Sequence, residues 1–180
     1  VGVWSKGKTV LGVFSYAGGF SVHALSNGAH EVTSLDISKQ ALEIAVQNGL
    51  LNPYKGVHKT IAGDAFEALK ALIKNKVTFD VVVIDPPSFA KQASEIDLAK
   101  KKYAQLARLG AQLTAKKGLL VLASCSSRIL ADDFFDINNE ILSSSNRNFD
   151  TVLKSTHDMD HPVSFPEGAY LKCGYYRFLN

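Results

Sequence analysis

The stretch FDVVVID (79–85) is apolar at nearly every position, β-branched at its centre, and followed at once by two prolines. A strand with one wet face would alternate apolar and polar residues. A run that is apolar on both faces must be covered on both, the condition of a central strand in a parallel sheet lying between helices. Pro86 and Pro87 then end the strand, because proline offers no N–H to a ladder and restricts the residue before it. A second run of this kind, LLVLAS (119–124), stops at a cysteine set among serines.

The rest of the chain repeats the pattern. TVLGVF (9–14), EVTSLD (31–36), HKTIAGD (58–64), FDTVLKS (149–155) and YLKCGYYRFL (170–179) read as strands, and the strand from 119 is expected to follow Gly118 and to contain the cysteine. Between them lie a short helix from Ser21, a helix over 39–51 capped by Ser38, and one through Leu69 and Leu72. Longer helices follow over 96–114 and around 134–142. Strands alternating with amphipathic helices imply one doubly wound α/β domain spanning 1–180, with no repeat, low-complexity tract or linker to divide it.

Composition narrows the function classes. The 180 residues are 46% hydrophobic and 21% charged, enough for a core that needs neither disulfides nor a structural metal. Two cysteines, Cys125 and Cys173, make neither a disulfide framework nor a zinc site, and the five histidines show no ligand spacing, so no metal is expected. His161 reads as a structural residue orienting the final strands. No stretch approaches the roughly 18 apolar residues of a membrane span, and the start lacks a secretory pattern, so a cytoplasmic setting is expected. The net charge of +3 is mild, but Lys91, Lys100, Lys101, Lys102, Arg108, Lys116 and Lys117 concentrate positive charge in one region. Such a run is either a solvated face or a contact surface for phosphates. Oligomeric state is left open.

In a doubly wound sheet, ligands bind beyond the carboxyl ends of the strands. Three of those ends carry polar chemistry in succession. The first is the turn Ser15-Tyr16-Ala17-Gly18-Gly19, whose glycines let backbone approach a ligand. The second is Asp36, suited to accept from both hydroxyls of a ribose. The third is Gly63-Asp64-Ala65-Phe66, a carboxylate and a ring beside the same crevice, suited to an adenine. Each aspartate alone would read as a helix cap; the succession reads as a pocket for an adenosine-containing cofactor. The first turn lacks G-x-G-x-x-G, and no Walker-type loop occurs, so nothing seats a pyrophosphate. A phosphate-free adenosine cofactor, S-adenosylmethionine, fits that turn.

FSYAGGFSVHAL, SLDISKQALEIA, GDAFEAL, FDVVVIDPPSFAK, LLVLASCSS and DHPVSFPEGAYLK together resemble, in order, the motifs of the ribosomal RNA large subunit methyltransferase I family. Its members are class I enzymes that methylate carbon 5 of a cytosine in 23S ribosomal RNA. The resemblance covers essentially the whole chain. It implies a Rossmann-like class I methyltransferase fold, with a mostly parallel sheet and an antiparallel last strand. It implies S-adenosylmethionine as donor and RNA as partner. It places Tyr16, Gly18 and Gly19 at the methionine end, Asp36 at the ribose and Asp64 at the adenine, with Ile37, Ala65, Phe66 and Asp85 completing the cofactor set. Pro86, Pro87 and Phe89 would border the target base, and Cys125 and Asp85 would be catalytic.

That chemistry needs a thiolate. Carbon 5 of cytosine is a poor nucleophile until a thiolate adds at carbon 6 and gives carbon 5 enamine character. Ser124, Ser126, Ser127, Arg128 and the N-terminus of the next helix are expected to favour the anion. Cys173, inside an apolar strand, is expected to be structural. The resemblance implies that family members carry an N-terminal RNA-binding domain and a segment folding over the cofactor, for which no counterpart is expected among these 180 residues. Lys101-Lys102-Tyr103 stands where the family has Arg-Gly-Tyr, and Ser88 stands where related cytosine enzymes hold a second cysteine. Two other readings share the fold: methylation of guanine or an exocyclic amino group without a covalent step, and a cofactor-binding fragment that is idle without a further domain.

Overall fold

A computed structural model describes residues 1–157, 162–165 and 168–180, so the role expected for His161 lies outside the described residues. Along the chain come β1 (Thr9–Val13), α1 (Gly19–Ser26), β2 (Glu31–Asp36), α2 (Lys39–Leu50), β3 (Val57–Ala62), α3 (Ala65–Lys74), β4 (Phe79–Ile84), α4 (Ile96–Leu113), β5 (Thr114–Ser124), α5 (Ala131–Ser143), β6 (Phe149–Ser155) and β7 (Lys172–Phe178). The strands form one sheet in the order β3-β2-β1-β4-β5-β7-β6. β1 to β5 pair in parallel, and β7 lies antiparallel between β5 and β6. This is the Rossmann-like class I arrangement with its antiparallel last strand.

The period-2 geometry of the strands splits their side chains between two cores. Val82 and Ile84 of β4 join Leu120 and Leu122 of β5 and Leu11 of β1 in one cluster, against Leu69, Tyr103, Leu106 and Phe134 from α3, α4 and α5. Val81, Val83, Leu119, Val121 and Val10 point the other way, against Ala24 and Leu25 of α1. That two-sided burial is what the run FDVVVID announced. Edge strands β3 and β6 are mostly exposed.

Several boundaries differ from the expected ones for identifiable reasons. β1 ends at Val13 because Phe14 turns to φ 59°, a left-handed conformation that leaves the sheet. α1 starts two residues before Ser21. β5 starts at Thr114, before the apolar run, because its first turn of strand lies at the wet rim and carries Lys116 and Lys117. Its register against β4 shifts there. Gly118 is needed at that shift, since a Cβ would sit 2.8 Å from the Ala115 carbonyl oxygen and 3.0 Å from that of Asp80. Cys125 lies just past the end of β5 rather than within the strand. The reversal of strand order falls between β1 and β4, whose last residues Val13 and Ile84 are register partners. The crevice for a ligand opens above that pair.

Candidate active site

At the switch point, the Asp85 amide donates to the Val13 carbonyl (3.4 Å), so the β4 end sits against the first loop. That loop, 14–18, is held from two sides. The Ser15 amide donates to the Leu35 carbonyl (3.0 Å), and the Tyr16 amide donates to Asp36 Oδ2 (2.9 Å). Asp36 Oδ1 accepts from the Ser38 amide (3.0 Å), which binds the entry of α2 to the same carboxylate. Tyr16 adopts φ 46° and Gly18 φ 84° to make the turn. Gly18 also has a steric reason: a Cβ would stand 2.7 Å from Ala45 Cβ of α2. A Cβ on Gly19 would meet nothing within 4 Å, so the space above the α1 N-terminus is open.

The cavity beside this loop measures about 470 Å³ and is lined by Phe14, Tyr16, Asp36, Ile37, Asp85, Pro86, Pro87, Cys125 and Leu171. It therefore gathers the ends of β1, β2, β4 and β5 with the chain entering β7. Of the residues singled out in the sequence, Tyr16, Asp36, Ile37, Asp85, Pro86, Pro87 and Cys125 meet there. Tyr16 is 74% and Ile37 75% exposed at its lip. A groove of about 530 Å³ between α2 and β3, lined by Lys39, Leu42, Glu43, Val46, Gln47, Thr60 and Ala62, is slightly larger but offers no nucleophile.

The third strand end is arranged differently. Asp64 caps α3, its Oδ1 accepting from the Glu67 amide (3.1 Å), as the plainer reading of that residue anticipated. Ala65 is buried, and Phe66 packs toward Phe89 with ring centroids 6.5 Å apart. None of the three lines the cavity. Phe89 is the hub of an aromatic cluster, 6.4 Å from Phe14 and 5.2 Å from Tyr103, with the Lys102 ammonium 5.0 Å above its ring. It does not line the cavity.

The reactive end is more buried. Burial pushes the Asp85 carboxyl above the usual carboxylate range. Cys125 is half-buried, with Sγ 3.8 Å from the Pro86 carbonyl oxygen. Two of the neighbours expected to favour its anion, Ser124 and Arg128, are engaged elsewhere, while the buried Ser126 hydroxyl has no hydrogen-bond partner. Ser124 Oγ donates to the Tyr103 hydroxyl (2.9 Å) and accepts from the Ser126 amide (3.2 Å). Arg128 Nε donates to the Lys91 carbonyl (3.2 Å). A cation does stand next to this turn, and it was not among the residues singled out. Lys172, only 2% exposed, donates to the carbonyls of Ser126, Ile129 (2.6 Å) and Tyr170 (3.1 Å). A lone lysine inside an apolar strand was the available signal. Phe14 and Leu171 left no such mark, because their place in the cavity comes from a turn and from a long-range approach. Cys173, paired in register with Ala123, is pushed up to about 11 by burial, which makes it a poor source of thiolate.

The basic run is split in space. α4 is about 27 Å long at 1.5 Å per residue and runs back down the sheet. Lys91 and Lys100–Lys102 lie at the cavity end, while Arg108, Lys116 and Lys117 are carried to the far rim. Lys100 is paired with Asp133 at 3.0 Å. Lys91 and Lys101 are exposed.

The S-adenosylmethionine-dependent methyltransferase family model matches residues 1–172. The chain belongs to this family. Among relatives, the methyltransferase chain is 43% identical over 169 residues to a ribosomal RNA large subunit methyltransferase of Deinococcus radiodurans, covering 93% of this chain and 41% of that protein. It is 37% identical over 168 residues to ribosomal RNA large subunit methyltransferase I of Cronobacter sakazakii, covering 92% and 42%. The crystal structure of SMU.776, assigned as a methyltransferase and complexed with SAH, superposes with a TM-score of 0.82 at 25% identity, over 96% of this chain and 46% of that one. The chain thus spans about two fifths of the length of those curated relatives.

The cavity fits the family's cofactor. Each Asp36 carboxylate oxygen has accepted one backbone N–H and keeps a lone pair for a ribose hydroxyl. Ile37 offers an apolar shelf beside it, and the open space at Gly19 lets a ligand approach the backbone of the first turn.

Proposed function

We propose that this methyltransferase modifies carbon 5 of a cytosine in large-subunit (23S) ribosomal RNA, through a covalent adduct to Cys125. What supports the reading above all is the meeting of Cys125 and Asp85 with Asp36 in one cavity at the carboxyl ends of the strands. The names of the relatives, both ribosomal RNA methyltransferases, supply the substrate class.

S-adenosylmethionine, held by Tyr16, Gly18, Gly19, Asp36 and Ile37, with Asp64, Ala65 and Phe66 behind them, supplies an electrophilic methyl group. The chain's own residues prepare the acceptor. Pro86 is buried and Pro87 exposed, so together they make a rigid rim against which an unstacked base can rest, with Phe89 two residues further along the chain. The Cys125 thiolate forms a bond to carbon 6. Asp85, kept protonated more readily by its burial, gives its proton to the ring nitrogen as electrons flow into the ring. Carbon 5 then carries the electron density that a methyl acceptor needs. Once carbon 5 has bonded the donor's methyl group, loss of the carbon-5 proton to water and breakage of the S–C6 bond return the thiolate, and the ring nitrogen gives its proton back to Asp85 as aromaticity is restored. Lys91 and Lys101 are placed to meet the phosphates flanking the base, in a cytoplasmic setting.

The test is Cys125→Ala assayed with unmethylated ribosomal RNA and labelled donor. Cytosine methylation should fall about 10⁴-fold, as for loss of a covalent nucleophile, while calorimetry should show SAH binding within about twofold. Full methylation by Cys125→Ala, mapped to guanine or to an exocyclic amino group, would establish the non-covalent alternative instead. SAH binding by the unaltered chain without turnover on any RNA would identify it as an idle cofactor-binding unit.

A further inference from the structure

The described residues contain one fully buried lysine that the scheme above leaves without a task. Lys172 opens β7 and is the register partner of Ser124, the residue before Cys125. Its three ammonium protons go to three carbonyls: Ser126, Ile129 and Tyr170. Two of these belong to the turn that carries Cys125 away from β5. A neutral amine has only two N–H donors and could not satisfy all three acceptors, so the arrangement selects the charged form despite its burial. Neutral carbonyls tie down a cation without cancelling its charge.

We propose that Lys172 is a positioning residue that pins the turn after Cys125 and presents a positive charge to the thiol, favouring its thiolate. The proposal rests on the reading of Cys125 as the nucleophile. The titratable groups around the pair are Asp85 at the end of β4, Tyr103 on α4, Cys173 next along β7, and Tyr170 and His157 on the approach to β7; the Leu171 amide donates to His157 Nε2. Burial brings the Lys172 ammonium down to about 8, and charge on Cys125 acts in the opposite direction. Placed beside an ammonium, a thiol gives more thiolate at neutral pH. Tyr103 is occupied by the Ser124 hydroxyl, and Arg128 by the Lys91 carbonyl, so neither replaces Lys172 in this role.

The test is the pH dependence of iodoacetamide alkylation at Cys125, followed by mass spectrometry of the peptide that carries it, in the unaltered chain and in Lys172→Met. Methionine keeps an unbranched stem and removes the charge. The midpoint should rise by about one pH unit, a tenfold loss of rate at neutral pH, with circular dichroism and SAH binding unchanged. An unchanged midpoint in a folded Lys172→Met overturns the proposal, because a purely structural lysine would leave thiol acidity alone. Should Lys172→Met fail to fold, the converse measurement decides. The lysine ε-carbon resonance of Lys172 should titrate at lower pH in Cys125→Ala than in the unaltered chain, and equal titration overturns the coupling. Failure of the functional reading looks different: Cys125→Ala would keep methylating RNA while the alkylation midpoint still moved.

Discussion

The two halves of the sheet hold their acidic groups in opposite ways. In the β1–β2–β3 half, Asp36 and Asp64 are clamped by backbone amides: Tyr16 and Ser38 for the first, Glu67 for the second. In the β4–β5–β7 half, Asp85 is pushed toward its neutral form by burial, and Lys172 stays buried among carbonyls beside the Cys125 turn. A carboxylate already bonded to rigid backbone is preorganised to receive a ligand's hydroxyls. An acid and a thiol in a half-buried pocket are poised to exchange protons and bonds. Under the proposed function the first half holds and the second reacts, and the cavity lies where β1 meets β4.

The sharpest way to break that contrast is Asp85→Asn. Activity should fall by about 10²- to 10⁴-fold, the range for losing a general acid, while thermal stability at neutral pH rises. The sign follows from linkage. A carboxyl raised by burial holds its proton when the unfolded chain has already lost it, so stability declines as pH climbs through the window above the ordinary value of about 3.9. Asparagine removes that burden, and thermal scans of the variant against pH should flatten. A variant that is both inactive and less stable would return Asp85 to a structural role.

Asp36→Ala comes next, with the opposite pattern. Removing an acceptor of two backbone N–H groups should raise the SAH Kd by roughly 10- to 100-fold, since hydrogen bonds to charged groups contribute about 1.5–3 kcal/mol each. Turnover at saturating donor should change little. A fall in kcat with Kd intact would erase the division between holding and reacting.

Asp64→Ala sharpens the contrast inside the first half. Loss of the α3 cap should cost about 1 kcal/mol, or a Tm drop of about 3 °C for a chain of this size. SAH affinity should move much less than in Asp36→Ala, because Asp64 does not line the cavity. Equal losses of affinity would put the cofactor's adenine at the α3 N-terminus.

The smallest effect concerns the chain of hydroxyls behind the first loop. Ser21 and Ser34 hydroxyls lie 2.7 Å apart, and Ser34 Oγ is 2.8 Å from His58 Nε2. Burial lowers the His58 pKa, so the unfolded chain takes up a proton before the folded one does. Stability is retained above about 6.5 and lost as pH falls through that value. Denaturant titrations between pH 8 and 5.5 should show this slope, and His58→Gln should reduce it without changing donor binding.

Much of this design is legible residue by residue. FDVVVID announces a strand covered on both faces, Ser38 a cap whose hydroxyl accepts the Ala41 amide, and Gly18 a turn that no other residue makes without strain. Asp36, Asp85 and Cys125 follow from strand ends, since a parallel sheet brings all its carboxyl ends to one rim. Asp64 and Phe66 reach that rim too, where Asp64 caps α3 and neither residue is among those lining the cavity. The basic run looked continuous because neighbours in sequence are separated in space only once α4 has turned down the sheet.

Local pattern thus determined the elements, their order and the rim where chemistry gathers, because strand periodicity, caps and glycine turns depend on residues only a few positions apart. Tertiary structure alone decided which rim residues share a cavity, and that Lys172 reaches the Ser126 carbonyl 46 positions earlier in the chain. Burial and electrostatic coupling depend on distance through space, and no local pattern encodes a distance between groups so far apart along the backbone.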